Sequence, residues 1–230
     1  MRSVKAMFVK QTLDMFRNWP VLIQYVVYPA VAFVFTVLVA KADETIADTM
    51  FVAMFSSIFA GMALVFSAMA VIAEDRETKS LRFLVMAGVK PHEYLIGVGG
   101  VIFLFGLGVS VVFALIGGYS GAEFFKFLLV MVLGSAASIL LGASIGILSK
   151  NQQSASAVGI PVSMVLGFAP MVTMFNETAK QIFDIFYTQQ VNVVANDVST
   201  DIARPVLIIL ANIAALAALF AAAYRKKRLG

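Results

Sequence analysis

Apolar and polar positions fall in long blocks along this chain, without the short alternation of soluble helices and strands. Six nearly unbroken apolar blocks lie at about 21–40, 49–73, 94–118, 124–148, 155–175 and 205–223. A helix of about 20 apolar residues crosses the roughly 30 Å hydrocarbon core of a bilayer. A helix also satisfies its own backbone hydrogen bonds where no water is present to do so. The pattern therefore predicts an all-α membrane protein with six transmembrane helices, forming one domain over residues 1–230.

The polar blocks between these spans add four further elements. Residues 1–20 carry Arg2, Lys5, Lys10 and Arg17 among Val4, Met7, Phe8 and Met15, an imperfect amphipathic pattern ending at Trp19. Such a helix lies along the membrane interface. Residues 74–93 form the one sizeable polar island in the first two-thirds of the chain. Residues 149–154 make a short polar turn, and the segment 176–204 is the longest connection. That last segment is too apolar (Ile182, Phe183, Ile185, Phe186, Val191, Val193, Val194) for a solvated loop, so it predicts a re-entrant or interfacial element. Inside the spans, Pro29 should kink the first helix. Pro161 and Pro170 predict an interrupted fifth helix bordering a cavity. Gly134, Ser138, Gly142 and Gly146 recur every four residues in the fourth, a ridge that lets helices approach closely, with packing inside the chain favoured over a subunit interface.

Composition agrees with the block pattern. The 230 residues are 61% hydrophobic and 13% charged, with mean hydropathy +0.93, whereas soluble domains are about 45–50% apolar and about 25% charged. A net charge of +4 would suggest nucleic acid in a soluble chain. Here basic residues instead mark the cytoplasmic side. With both termini inside, thirteen of the seventeen Lys and Arg fall there and four (Lys41, Lys126, Lys180, Arg204) fall outside. The basic lead and the Ala40-Lys41-Ala42 triplet imitate a signal peptide, but the apolar run is too long for one and reads as a retained helix. A bacterial inner membrane is the expected location.

Several chemistries are excluded. The chain has no cysteine and one histidine, so disulfides, thiolate sites and ordinary metal centres are not expected. No G-x-x-x-x-G-K-[ST] is present, and no set of residues suits nucleophilic catalysis. No apolar run carries a central charge, which disfavours a proton relay. Coupling to sodium through backbone carbonyls stays open. A membrane protein without energy-converting chemistry is passive, structural or driven by a partner.

The polar island carries the strongest signal. Thr78 or Ser80 caps the start of a short helix at 78–87, Gly88 suits its end and Pro91 opens the next helix. Leu81, Leu84, Val85 and Gly88 share one face, with Arg82 largely opposite. Two turns of helix are marginal alone, so this one must pack on lipid headgroups or on a partner.

The island resembles the loop between the second and third helices of ABC-2 type ABC transporter permeases. There an E-x-E-x-G-T-L-x-x-L-L-type run precedes a proline and the third helix. Glu74, Glu77, Leu81, Leu84, Pro91 and Leu95-Ile96-Gly97 match. Lys79 and Ser80 stand where Gly-Thr is usual, and Val98 where Lys is usual. The six-helix plan, the basic N-terminal helix and the long segment before the last span are also similar.

The resemblance implies the membrane-spanning subunit of an ATP-driven exporter. Such a subunit pairs as a homodimer, or with a similar permease, and with two ABC ATP-binding subunits. This chain would bind no cofactor; ATP and Mg would sit on the partner, which would also do the catalysis. Arg76, Glu77, Leu81, Arg82, Leu84 and Met86 become coupling residues toward the ATPase, with Lys10 and Arg17 as contacts from the N-terminal helix. Phe55, Phe59, Pro161 and Met164 are the candidates for a translocation path, and the cargo is expected to be hydrophobic or amphipathic. The rival readings are a membrane scaffold or immunity protein, and an ATP-independent sodium or drug transporter.

Overall fold

The computed structural model describes residues 2–43, 46–199 and 201–228, and helix is the only regular structure among them. Glu44 of the first short loop lies outside the described residues. So do the side chains of residues 1–6, Val85, Pro91 and 226–230.

Helix α1 (Arg2–Arg17) is separated by Asn18 from α2 (Trp19–Leu38), and a single 3-10 turn follows at Ala40–Ala42. The second span is built from α3 (Thr49–Ile58), one π-helical stretch (Phe59–Leu64) and α4 (Val65–Glu77). Then come the short α5 (Ser80–Met86), the long α6 (Pro91–Ile116) and α7 (Gly121–Leu148), and α8 (Gln152–Thr173). Two short helices, α9 (Glu177–Phe183) and α10 (Tyr187–Asn196), precede α11 (Ala203–Arg228). Six stretches are long and apolar enough to cross a membrane: Trp19–Ala42, Thr49–Glu77, His92–Ile116, Gly121–Leu148, Gln152–Thr173 and Ala203–Arg225. Each of the six expected spans is present, with boundaries shifted by up to four residues.

Helix α7 is the axis of the bundle, and its small residues explain why. A Cβ added at Gly142 would lie 2.3 Å from the Val65 carbonyl oxygen, and one at Gly146 would lie 2.9 Å from that of Met69. The backbones of α4 and α7 therefore touch, an approach that dispersion rewards in a medium without water. One turn and more away, Gly134 receives Val191 of α10. The ridge is thus filled from within the chain. On the other side of the second span, Gly61 of the π-helical stretch meets the Gly167 backbone of α8 at 2.7 Å from an added Cβ.

The two prolines of α8 behave differently from expectation. Helix α2 runs unbroken through Pro29, and α8 through Pro161 and Pro170. A proline removes one donor, and local adjustment within a packed membrane helix absorbs that loss without a break. Helix α8 is 22 residues long against 28 for α7, about 9 Å shorter at 1.5 Å per residue. The space beyond its end is taken by α10, nearly all of which is buried. Thr173 donates to Gln189 at 3.0 Å, Ser138 to the Tyr187 hydroxyl at 3.1 Å, Thr49 to the Asn196 carbonyl at 2.9 Å, and Tyr119 to the Ala195 carbonyl. The segment at 176–204 is therefore re-entrant in its second half, while α9 has no buried residue. Outward faces of α2, α8 and α11 are apolar (Val26, Phe33, Val165, Phe168, Leu207, Leu210), as lipid-facing surface must be.

Candidate coupling site

The opposite end of the bundle from α10 gathers the first helix, the polar island, the α7–α8 turn and the last turns of α11. Its order comes from four consecutive residues at the end of α4. The buried face of α4 runs through Ala68, Ile72 and then Asp75, so the helical phase carries an acid inward just where the span ends. Asp75 is 5% exposed. It accepts a hydrogen bond from the Tyr94 hydroxyl of α6 at 2.8 Å and pairs with the Lys10 ammonium of α1 at 3.2 Å. A buried carboxylate needs such partners, since an unpaired charge in this setting is strongly disfavoured.

The neighbouring residues point to other helices. The Arg76 guanidinium donates to the carbonyls of Ile147 and Ser149 at the C-terminal end of α7. Those carbonyls have no partner in their own helix and carry the negative end of its dipole. Glu77 accepts from the backbone N–H of Gln152 at 3.0 Å, at the positive N-terminal end of α8. Glu74 accepts from the Gln152 side chain at 3.3 Å. Residues 74–77 thus join α1, α6, α7 and α8 to one helix end.

Burial pulls the Lys10 ammonium down from its ordinary value of 10.5, but the Asp75 carboxylate beside it, with Asp14 and Glu74 adding, outweighs burial and holds it above that value. Lys10 therefore stays charged throughout the neutral range.

From this brace the chain turns at Thr78 and Lys79 into α5. Lys79 has φ of 62°, the left-handed region that glycine adopts freely. It stands where the resembling family has glycine, so the turn keeps its shape despite the substituted residue. Gly88, with φ of 80°, ends the helix. Leu81 is 8% exposed and packs inward with Tyr94, Ile72, Phe220 and Tyr224. Tyr224 of α11 also donates to the Val89 carbonyl at 3.4 Å. Leu84 is half-buried beside Met7 and Val98, around a cavity of about 380 Å³. Phe83 and Met86 are 66% and 65% exposed, and Arg82 is exposed next to them.

The expected residues therefore separate into groups. Arg82 and Met86 face outward, and Leu84 lies at the margin. Arg76, Glu77 and Leu81 face the bundle, where the first two hold helix ends and the third packs in a core. Lys10 is held by Asp75, and Arg17 is exposed at the end of α1. Sequence reasoning missed Asp75, Tyr94 and Phe83. The first was legible in the phase of α4, and Phe83 in its position beside Arg82, opposite the Leu81–Leu84 face. Nothing in the sequence pointed to Tyr94. The four path candidates sit in different surroundings. Phe59 is fully buried against Tyr25, Tyr28 and Phe113, at ring distances of 5.3, 6.1 and 5.9 Å. Phe55 is half-buried, whereas Pro161 and Met164 are exposed on α8.

Six apolar helices around a glycine-lined axis, with a braced helix protruding at one end, make this a multi-pass membrane protein of the transporter type. The family model described as "ABC-2 family transporter protein" matches residues 15–224, and the chain belongs to that family. No curated protein matches it.

Proposed function

We propose that this chain is the permease subunit of an ATP-driven exporter, and that the outward face of α5 receives a separate ATP-binding subunit. The observation that carries this reading is the pairing of an exposed apolar face with a rigid base. Phe83 and Met86 lie beside Arg82 on a seven-residue helix, and the residues just before it are tied to four other helices. A push on α5 passes to α4 through a turn of two residues, and to α1, α6, α7 and α8 through Asp75, Arg76 and Glu77. Family membership and the lack of any P-loop in the chain support an external source of energy.

The end carrying α5 holds thirteen of the seventeen basic residues, which supports placing it, and both termini, in the cytoplasm. In the complex we envisage, two permease copies pair with two ATPase subunits that hold ATP and Mg. ATP-driven closure of the ATPases then moves the α4–α6 loop, and alternating access carries an amphipathic or hydrophobic cargo outward.

The test uses membranes carrying the chain together with its ATP-binding partner. Leu84→Asp should insert in normal amounts, yet ATP hydrolysis by the partner should no longer respond to the presence of the permease. Hydrolysis that responds to Leu84→Asp as it does to the unaltered chain would contradict the proposal.

A further inference from the structure

The cavity between α1, the start of α2 and the end of α4 has a volume of about 510 Å³. Its charged and amide groups are Lys10, Gln11, Asp14, Arg17, Asn18, Glu74 and Asp75. Lys10 and Asp75 neutralise one another at 3.2 Å. That leaves one cation and two anions to be accounted for. Arg17 has no anionic partner among the described residues. Asp14 reaches Lys10 only at 3.8 Å, and the Glu74 carboxylate accepts a hydrogen bond only from the neutral Gln152 amide, feeling Lys10 without forming an ion pair with it. Gln11 is 3% exposed. Its carboxamide has no hydrogen-bond partner among the described residues, and it lines both this cavity and the one of about 380 Å³ beside it. A carboxamide that opens on a cavity without a protein partner is free to donate to, and accept from, whatever occupies it.

The cavity lies at a definite level. Asn18 and Pro20 line it, and Trp19 between them is 70% exposed, with Phe16 one turn back 59% exposed. An exposed Trp where a polar helix meets an apolar one marks the headgroup region of a bilayer. We propose that this cavity binds the headgroup of an aminophospholipid, with its phosphate at Arg17 and its primary ammonium between Asp14 and Glu74. Charge-assisted hydrogen bonds of both signs would then be satisfied by one molecule. A choline headgroup has no N–H to give the carboxylates and is usually held by aromatic faces, whereas Met15, Val21 and Val71 form the walls here. An anionic headgroup without an amine would leave both carboxylates unmatched. The proposal needs only the membrane placement of the chain and is independent of what drives it.

Trp19 is the only tryptophan and sits between two residues of the cavity wall, Asn18 and Pro20, so its emission reports on lipid at the α1–α2 junction. The full chain in mild detergent is titrated with phosphatidylethanolamine, phosphatidylcholine or phosphatidylglycerol, each brominated on its chains. Phosphatidylethanolamine should quench Trp19 at the lowest mole fraction. Arg17→Gln and Asp14→Asn should each weaken that preference by about tenfold, the worth of one charge-assisted contact, and leave phosphatidylcholine unchanged. Equal quenching by the three lipids, or a preference that survives both substitutions, would mean unspecific surrounding lipid and overturn the proposal.

Discussion

Asp75 has the largest structural consequence of any single side chain at the loop end. Removing its carboxylate leaves the Tyr94 hydroxyl buried without an acceptor and frees α1 from α4. Asp75→Ala should lower stability by about 1–3 kcal/mol, the cost of an orphaned buried polar group, read as an earlier midpoint of unfolding in denaturing detergent. Lys10→Met should also move the midpoint earlier, because it leaves the Asp75 carboxylate, whose side chain is only 8% exposed, without its cation. The pH dependence follows from the sign of the Lys10 shift. Its raised value means that the stability contributed by the Lys10 charge is fully present below 10.5 and is lost as pH rises through its folded value, above 10.5.

Lys79 gives a second prediction at this scale. A left-handed conformation costs a non-glycine residue roughly 1–2 kcal/mol, partly offset by the extra freedom glycine brings to the unfolded chain. Lys79→Gly should leave the fold intact and move the unfolding midpoint slightly upward, whereas Lys79→Val should move it downward. Here the departure from the family pattern was visible in the sequence, but its meaning was not. Only the backbone angle shows that the turn demands what glycine would supply.

Among the elements, α7 was the most legible in advance. A small residue every fourth position puts one ridge on one face, and the structure fills that ridge with α4 and α10. Gly142→Leu should abolish the contact, since its Cβ alone would overlap the Val65 carbonyl. Gly108→Ala, with nothing within 4 Å of the added Cβ, should be neutral. Recovery of folded protein by size-exclusion in detergent separates the two. Less legible were α8 and α10. Two prolines suggested a break that packing absorbs, and Gln189, Gln190 and Asn192 gave no sign of being almost fully buried. The neighbours that satisfy part of this polar helix (Thr173, Ser138, Thr49) are far apart in sequence, while the Thr188 hydroxyl and the Asn192 amide nitrogen are buried without a partner among the described residues. The same limit applies to α5: its existence and its glycine end were readable, but the Thr78 hydroxyl bonds back to the Glu74 carbonyl and the inward and outward faces depend on Tyr94 and Tyr224, which pattern alone does not bring together.

For the whole molecule, six spans follow from block length, and the basic residues divide thirteen to four between the two ends of the bundle. The bundle carries a braced loop at one end, a re-entrant helix at the other and an axis of touching backbones between them, and the proposed function makes it a passive transmitter. The central claim is that the transmitter is driven through Phe83 and Met86 on α5. The most direct measurement purifies the tagged chain from its native membrane in mild detergent and assays the ATP hydrolysis that accompanies it. The unaltered chain should carry ATPase activity, Phe83→Asp should lose it while being recovered in equal amount, and Lys180→Gln at the far end should keep it. Absence of activity with the unaltered chain, or equal activity with Phe83→Asp, would contradict the account.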